Sequence, residues 1–471
     1  MLTIFDKRTP SRNGLTRRRF LTAGSLGVAG LTLADLLRAE TAAGAGSSCK
    51  AVINVHLDGG PPQMDMIDLK PRAPVEVRGE FSPIQTSIPD FQLCEHLPKL
   101  ASIADRFVWI RSLVNSAGRH DAFQCMSGFD FKNLQSMGGR PAMGSVVSKL
   151  RGSPDDAAPP FVDLMQGRAL VRNSARPGFL GPAYKPFRPD ISHLFERPLE
   201  PGMVKELAAL GDEHRVKLTL DAGLSMSRLD DRTRLLAAHD SLRRDVDASG
   251  MMDAMDRFTQ QAVAILTSGR FAEALTLARE DPRVLERYTP AADDPRQRFE
   301  TADAPTAARK FLLARRLVEA GVRVVTLSIS DFDTHSENFP RLRQALPTVD
   351  HGLHALIVDL EERGMLDDVT IVAWGEFGRT PRIDPASKGG RHHWPRVGPA
   401  FLAGGGLRTG QVIGATDRLA GEVTARPVSY QDVMATLYRN LGIDASATTI
   451  VDPTGRPQYL LDQGTPLHEA L

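Results

Sequence analysis

Apolar positions recur along this chain with two different spacings, and the alternation between them predicts its elements. In "KAVINVHLDGGPP" (residues 50–62) a β-branched run closes on a Gly-Pro turn, which predicts a short buried strand. "LPKLASIADRFVWIRSL" passes from helical spacing into a second strand. From residue 305 the order becomes regular. "TAARKFLLARRLVEAGVRVVTLSI" is an amphipathic helix, a glycine stop and a β-branched strand. "VDHGLHALIVDLEERGMLDDVTIVAWGE" repeats that order, with Val349, Leu353, Leu356, Ile357 and Leu360 on one helix face. "GPAFLAGG" is one further strand. "VSYQDVMATLYRNLGI" closes the series as a helix, with Ser429 as N-cap and Asp432 in its first turn. Helices alternating with buried strands predict an α/β fold, a mainly parallel sheet covered on both faces. Between the two halves, residues 150–200 are rich in Pro, Arg and aromatics and read as loop over a scaffold. Residues 203–300 read as an inserted helical layer, "MDAMDRFTQQAVAILTSGRFAEALTLARE" being its most amphipathic stretch.

Composition narrows the class of protein. The formal net charge is +1 over 471 residues, so nothing points to nucleic acid or to a polybasic membrane anchor. Cys49, Cys94 and Cys125 have no C-x-x-C spacing and encode neither a disulfide framework nor a thiolate metal site. The amino terminus carries more information. "TRRRFLTAGSLGVAGLTLADLL" sets Arg17 and Arg18 ahead of Phe20 and Leu21 and a mildly apolar stretch, and "AAGAGSS" offers small residues for cleavage. This pattern predicts a twin-arginine signal peptide over residues 1–45 and a mature domain over 46–471. Asp35, Arg38 and Glu40 interrupt the stretch, so no stable membrane span is expected. The expected location is periplasmic or secreted, with the twin-arginine translocation machinery as a partner. That route carries folded proteins, often with a cofactor already loaded.

Ligands of such sheets bind beyond the carboxyl ends of the strands, and there this chain places its acids and imidazoles. Asp58 follows "VINVHL", Asp331, Asp333 and His335 follow "VVTLSIS", and Glu376 follows "TIVAW", with His393 in the loop beyond. Carboxylates crowded without a counter-charge raise one another's pKa, and a cation removes the conflict. Oxygen and imidazole donors without thiolates suit a divalent ion such as Zn, Mn, Mg or Ca. Singly, an acid after a strand is more often a turn or cap residue. His351 and His354 lie on a helix and suit surface or packing, His392 could simply flank His393, and Asp65 and Asp68 could tie down the first loop. Arg379 and Arg382 are either surface charges or, at a metal site, bidentate partners for an oxyanion.

The motifs "HLDGGPPQMDMIDLKP", "DTH", "GEFGRTP" and "GRHHWP", with "RPGFLGPAYKPF" and "ARRLVEAGVRVVTL", resemble a bacterial family known as domain of unknown function 1501. The resemblance covers nearly the whole mature chain. That family is similar to the sulfatases and the alkaline phosphatase superfamily. It implies a three-layer α/β/α sandwich with a metal site at the strand ends and a small-molecule or polysaccharide ester as substrate. Carried over, Asp58 matches the acid after the first strand, Asp333 and His335 the D-T-H, and His393 the late histidine. Glu376 stands where phosphatases and sulfatases have an Asp-His pair. Asp331 and His335 also reproduce a D-x-x-x-H spacing, which leaves Asp331 and Asp333 as alternatives. Pro62 replaces the family's usual serine, and the sulfatase motif C-x-P-S-R is absent. In the segment "NSAGRHDAFQCMSGF", Ser116 is then the candidate nucleophile and His120 a candidate base, ligand or phosphoryl acceptor, unless water attacks directly. Arg379 would stabilise an oxyanion. The expected function is an exported metal-dependent hydrolase of phosphate or sulfate esters. The alternative is an exported binding or assembly protein that keeps the fold without catalysis.

Overall fold

The computed structural model describes residues 50–134, 138–153, 156–171, 175–191, 269–291 and 295–471, with a few isolated positions besides. The expected signal peptide and most of the expected helical insertion lie outside the described residues. An eight-stranded sheet organises the described chain. Its strands, labelled in chain order, are β1 (Ala51–Leu57), β2 (Phe107–Val114), β3 (Phe161–Leu164), β4 (Val324–Ile329), β5 (Val369–Trp374), β6 (Gly398–Gly404), β7 (Gln411–Ile413) and β8 (Val428–Ser429). They lie in the order β7-β2-β6-β5-β1-β4-β3, with β8 beside β2. All neighbours are parallel except β6, which runs against both β2 and β5.

Strand alternation assigns the two faces. In β1, Ile53, Val55 and Leu57 enter one core together with Val325, Leu327, Ile371 and Phe401. Val52, on the opposite pleat, enters a second core with Val324, Val372, Trp374 and Leu402. The first core is roofed by the helices α2 (Arg309–Glu319) and α3 (Asn338–Glu362), the second by α1 (Met143–Arg151) and α4 (Tyr430–Asn440). The result is three layers, α/β/α. The expected cap of α4 is present as a full capping box: the Ser429 hydroxyl accepts from Asp432 N, and the Asp432 carboxylate accepts from Ser429 N. One expectation changes in detail. The spacing of α2 predicts an amphipathic helix, yet Lys310 and Arg315 are buried along with its apolar face. The helix Arg270–Leu275 covers that outer side, with Phe271 fully buried, so polar positions there face protein and not water. Among the described residues, no helix is long and apolar enough to cross a membrane.

Candidate metal centre at the strand ends

The Val52 face of β1 turns polar toward its carboxyl end while staying buried, and this begins the site. Asn54 and His56 share a pleat; the Asn54 amide donates to Cys125 O at 2.8 Å, and Trp374 Nε1 donates to Asn54 Oδ1 at 2.9 Å. One pleat further on, His56 Nε2 meets Glu376 Oε2 at 3.4 Å with both side chains 1% exposed. Glu376 is placed there by Gly375, whose carbonyl accepts from the buried Tyr430 hydroxyl at 2.8 Å. The β1 loop comes in close enough only because it is glycine: a Cβ at Gly59, where φ is +114°, would lie 2.3 Å from Asp333 N. Gly59 N also donates to Glu376 Oε1 at 3.0 Å.

Two donor groups result, each with ligand atoms within 4.8 Å of one another. His56, Asp58 and Glu376 form the inner, buried group; His120, Asp333, His335 and His393 form the outer, partly open one. His120 links them, with Nδ1 3.0 Å from Glu376 Oε1 and Nε2 3.3 Å from Asp333 Oδ1. The outer group is closed by a ribbon in which Arg379 pairs with His393. His393 Nδ1 lies 3.0 Å from Gly118 O, which accepts its proton and leaves Nε2 with a lone pair, 3.0 Å from His120 Nε2. His120 therefore has acceptors on both nitrogens. Burial opposes its charge, but hydrogen bonds to Asp333 and Glu376 outweigh burial and hold the imidazole up at about 9. Against burial in turn, His120, Arg379 and Arg168 hold the Asp333 carboxyl far below the usual range. Glu376 is lowered too, by His120 and His56 acting against burial. His393 is pushed down to about 4 by burial and by the charges of His120 and Arg379.

A divalent cation fits this arrangement on two grounds. The donors are imidazoles and carboxylates from four strand-end loops, without sulfur. In the inner group, moreover, His56 Nδ1 and Glu376 Oε2 are buried with no hydrogen-bond partner among the described residues. Leaving such atoms unsatisfied costs about 1–3 kcal/mol each, more for a charge, and a cation would relieve the carboxylate.

The residues singled out from the sequence fall in different places. Asp58, Asp333, His335, Glu376, His393 and His120 are brought together. Asp331 is not: its φ is +76°, and Oδ1 accepts from Thr301 Oγ1 and Arg341 at 2.6 Å each, away from both groups. Of the two alternatives, Asp333 is the one in the site. Ser116 sits at the rim, but its Oγ donates to the Glu376 carbonyl and accepts from Gly118 N at 3.0 Å, a turn-forming use of the hydroxyl. Arg379 is fully buried and donates to the carbonyls of Gly59, Gly60 and Arg391 as well as to Asp333 Oδ1 at 2.6 Å. With its fork so engaged it braces the loops. It is not poised for an oxyanion. Asp65 ties down the first loop by gripping Arg391 and Asn338, and Asp68 meets Lys70 and Arg111.

Three features were not picked out beforehand. His56 carried a signal, an imidazole within an aliphatic strand. Arg168, after β3, reaches Asp333 Oδ2 at 2.7 Å and is half-buried, the more accessible arginine of the two on that carboxylate; its segment read only as loop. His392, taken as a mere neighbour of His393, lies with Nδ1 3.0 Å from His335 Nδ1 and Nε2 2.9 Å from Asp384. It thus orients His335 from behind, as outer-shell carboxylate–histidine pairs do at metal sites.

The chain belongs to the DUF1501 family, described as a protein of unknown function, which it matches over residues 49–471. Among curated proteins, none matches the chain. It is distantly similar to the PsFucS1 sulfatase from Pseudoalteromonas sp., with 13% identity over 88% of this chain and 72% of that one, at a TM-score of 0.38. It is also similar to the lipoteichoic acid synthase LtaP from Listeria monocytogenes, with 12% identity over 86% and 78% of the two chains, at a TM-score of 0.31. Likeness at this distance assigns no activity to the chain.

Proposed function

We propose that this protein is an exported, metal-dependent hydrolase of phosphate or sulfate esters. The observation that carries the reading is the convergence of His56, Asp58, Glu376, His120, Asp333, His335 and His393 at the ends of adjacent strands. His56, Asp58 and Glu376 would hold one divalent cation and Asp333, His335 and His393 a second, with His120 between them. A cation held there supplies Lewis acidity toward an ester oxygen and acidifies water near it.

The chain's own residues do the rest. Glu376 is kept anionic and aligned by Gly59 N. His120 holds a proton on Nε2 beside Asp333, where a leaving oxygen could receive it. Arg168 is the candidate for the equatorial oxygens in place of Arg379. With Ser116 engaged by the Glu376 carbonyl, water is the nucleophile. Export rests on the twin-arginine pattern at residues 17–21. That same engagement of Ser116 favours, as a second reading, an exported binding protein without catalysis.

The test is direct. Protein loaded in turn with Zn, Mn, Mg and Ca should cleave aryl phosphates or aryl sulfates, and His335→Ala should lose metal and turnover together. Full metal occupancy without turnover on either ester class would leave the binding protein as the surviving reading.

A further inference from the structure

A second charged cavity lies on the flank of the molecule, away from the strand ends. It has a volume of about 400 Å³ and is lined by Lys99, Arg283, Glu286, Arg287, His351, His354 and Val358, within the usual size of small-ligand clefts. His351, His354 and Val358 share one face of α3, at spacings of three and four. Counting from Asn338, His351 is roughly 20 Å down the helix axis at 1.5 Å per residue, so the cavity is separate from the metal centre.

Its walls are fixed by bonds that engage neither the Lys99 ammonium nor the Arg283 guanidinium. The Asp350 carboxylate accepts from Lys99 N at 3.1 Å and Leu100 N at 2.7 Å, which pins the helix Pro98–Ser102 onto α3. On the other side His351 Nε2 donates to Arg287 O at 2.7 Å, and Arg287 is held by Glu362 at 2.6 Å. Asp281 caps the helix Pro282–Arg287, accepting from Arg283 N. Among the described residues, neither the Lys99 ammonium nor the Arg283 guanidinium has a hydrogen-bonding or ion-pair partner. Glu286 is the acid in the lining. Burial first, and then the positive charges of Lys99, His351 and Arg287, hold His354 below its ordinary value, in keeping with a positive field in the cavity.

We propose that this cavity is a binding site for an oxyanion, a sulfate or phosphate group, gripped by Lys99 and Arg283, with His351 and His354 in its lining. The Lys99 ammonium and the Arg283 guanidinium in a concave, positively charged setting give charge-assisted hydrogen bonds to such a group. The group could be a free inorganic anion or one carried on an anionic polysaccharide. The site does not depend on the hydrolytic activity proposed above.

Calorimetric titration of the full chain tests it, with inorganic sulfate, inorganic phosphate and dextran sulfate as probes. Glu376→Gln, which disables the strand-end site, should leave binding at the flank intact. Lys99→Ala/Arg283→Ala should weaken it about tenfold or more, and Lys99→Arg/Arg283→Lys should restore it. Both positions are exposed, so the thermal midpoint should not move. Binding of the inorganic anions with this dependence identifies a free oxyanion, and binding of dextran sulfate alone with the same dependence identifies a polymer-borne one. The proposal is overturned if no probe binds the wild type, or if Lys99→Ala/Arg283→Ala binds as well as the wild type does.

Discussion

Two buried clusters of charge in this protein look alike in composition and differ in how they are completed. Beneath the helical layer, Arg315 meets Glu280 and Glu319 at 2.6 Å and Asp359 at 2.9 Å. Arg316 shares Glu280, Arg363 takes Asp359 Oδ1 at 2.7 Å, and the Tyr288 hydroxyl donates to Asp359 Oδ2 at 3.0 Å. Each acid there faces guanidinium, the cation that matches a carboxylate in shape and cannot lose its proton. At the strand ends Arg379 and Arg168 hold Asp333, whereas Glu376 faces the imidazoles of His56 and His120, which can exchange a proton for a metal; buried atoms of His56 and Glu376 have no hydrogen-bond partner among the described residues. In the first network Arg315 Nε also lacks a hydrogen bond, but it lies 2.9 Å from the Asp359 carboxylate, so its charge is matched by a permanent counter-charge. At the strand ends the match to Glu376 rests on imidazoles that a cation from outside can replace.

The comparison breaks most visibly through stability. Asp359→Ala leaves Arg315 buried without its central carboxylate, and breaking such a pair costs about 3–5 kcal/mol. Thermal unfolding should show this loss while metal content stays at the wild-type level. Glu376→Gln should behave in the opposite way. It removes a carboxylate that touches both donor groups, so metal affinity should fall more than about 100-fold, since even outer-shell changes cost 10–100-fold. Elemental analysis and unfolding of the same samples separate the two effects. If Glu376→Gln binds metal normally, the contrast between the clusters is not functional.

Legibility from sequence followed the same division. The sheet, its layers and the α4 cap are local in origin. β-Branched apolar runs such as that at 51–57 and the Ser429–Asp432 spacing need no knowledge of distant residues. The acids and imidazoles at the strand ends could be picked out because strand ends are themselves legible. What each side chain touches was not. Asp331 and Asp333 are two positions apart, and the positive φ of Asp331 sends it toward Arg341. Arg379 looked like an oxyanion ligand because nothing in "GEFGRTP" shows that the Gly59 and Gly60 carbonyls will occupy it. Arg168 was passed over because β3 is only four residues long and its loop has no periodicity.

Proton linkage gives a smaller effect, measurable on protein stripped of metal. His120 has its folded value, about 9, above its ordinary 6.5, so the stability it contributes is complete below about 6.5 and disappears as pH rises through about 9. Asp333 and Glu376 are shifted downward, so theirs is present above the ordinary carboxylate range and lost as pH falls below it. His393 is lowered to about 4, so its unfolded imidazole takes up a proton below 6.5 that the folded one refuses, and stability falls on that side as well. Metal-free protein should thus be most stable near pH 6.5 and lose about 2 kcal/mol by pH 9. His120→Gln should flatten the alkaline limb. An unchanged limb would mean that His120 is not the imidazolium linking Glu376 and Asp333.

The smallest effect sets the floor for the comparison. Arg343 and Glu80 pair at 2.7 Å with side chains 45% and 57% exposed, a contact as short as those around Arg315 but open to water. Water replaces what either partner loses and salt screens the rest, so Arg343→Ala should cost less than about 1 kcal/mol. The cost should shrink further at high ionic strength, while metal content stays unchanged. Chemical denaturation at low and high salt would show it. The distances in the two pairs are nearly equal, so what separates their expected costs is burial. Were Arg343→Ala as damaging as Asp359→Ala, burial would not be what distinguishes the ion pairs of this protein. The buried atoms of His56 and Glu376 that lack a hydrogen bond would then lose their meaning as well.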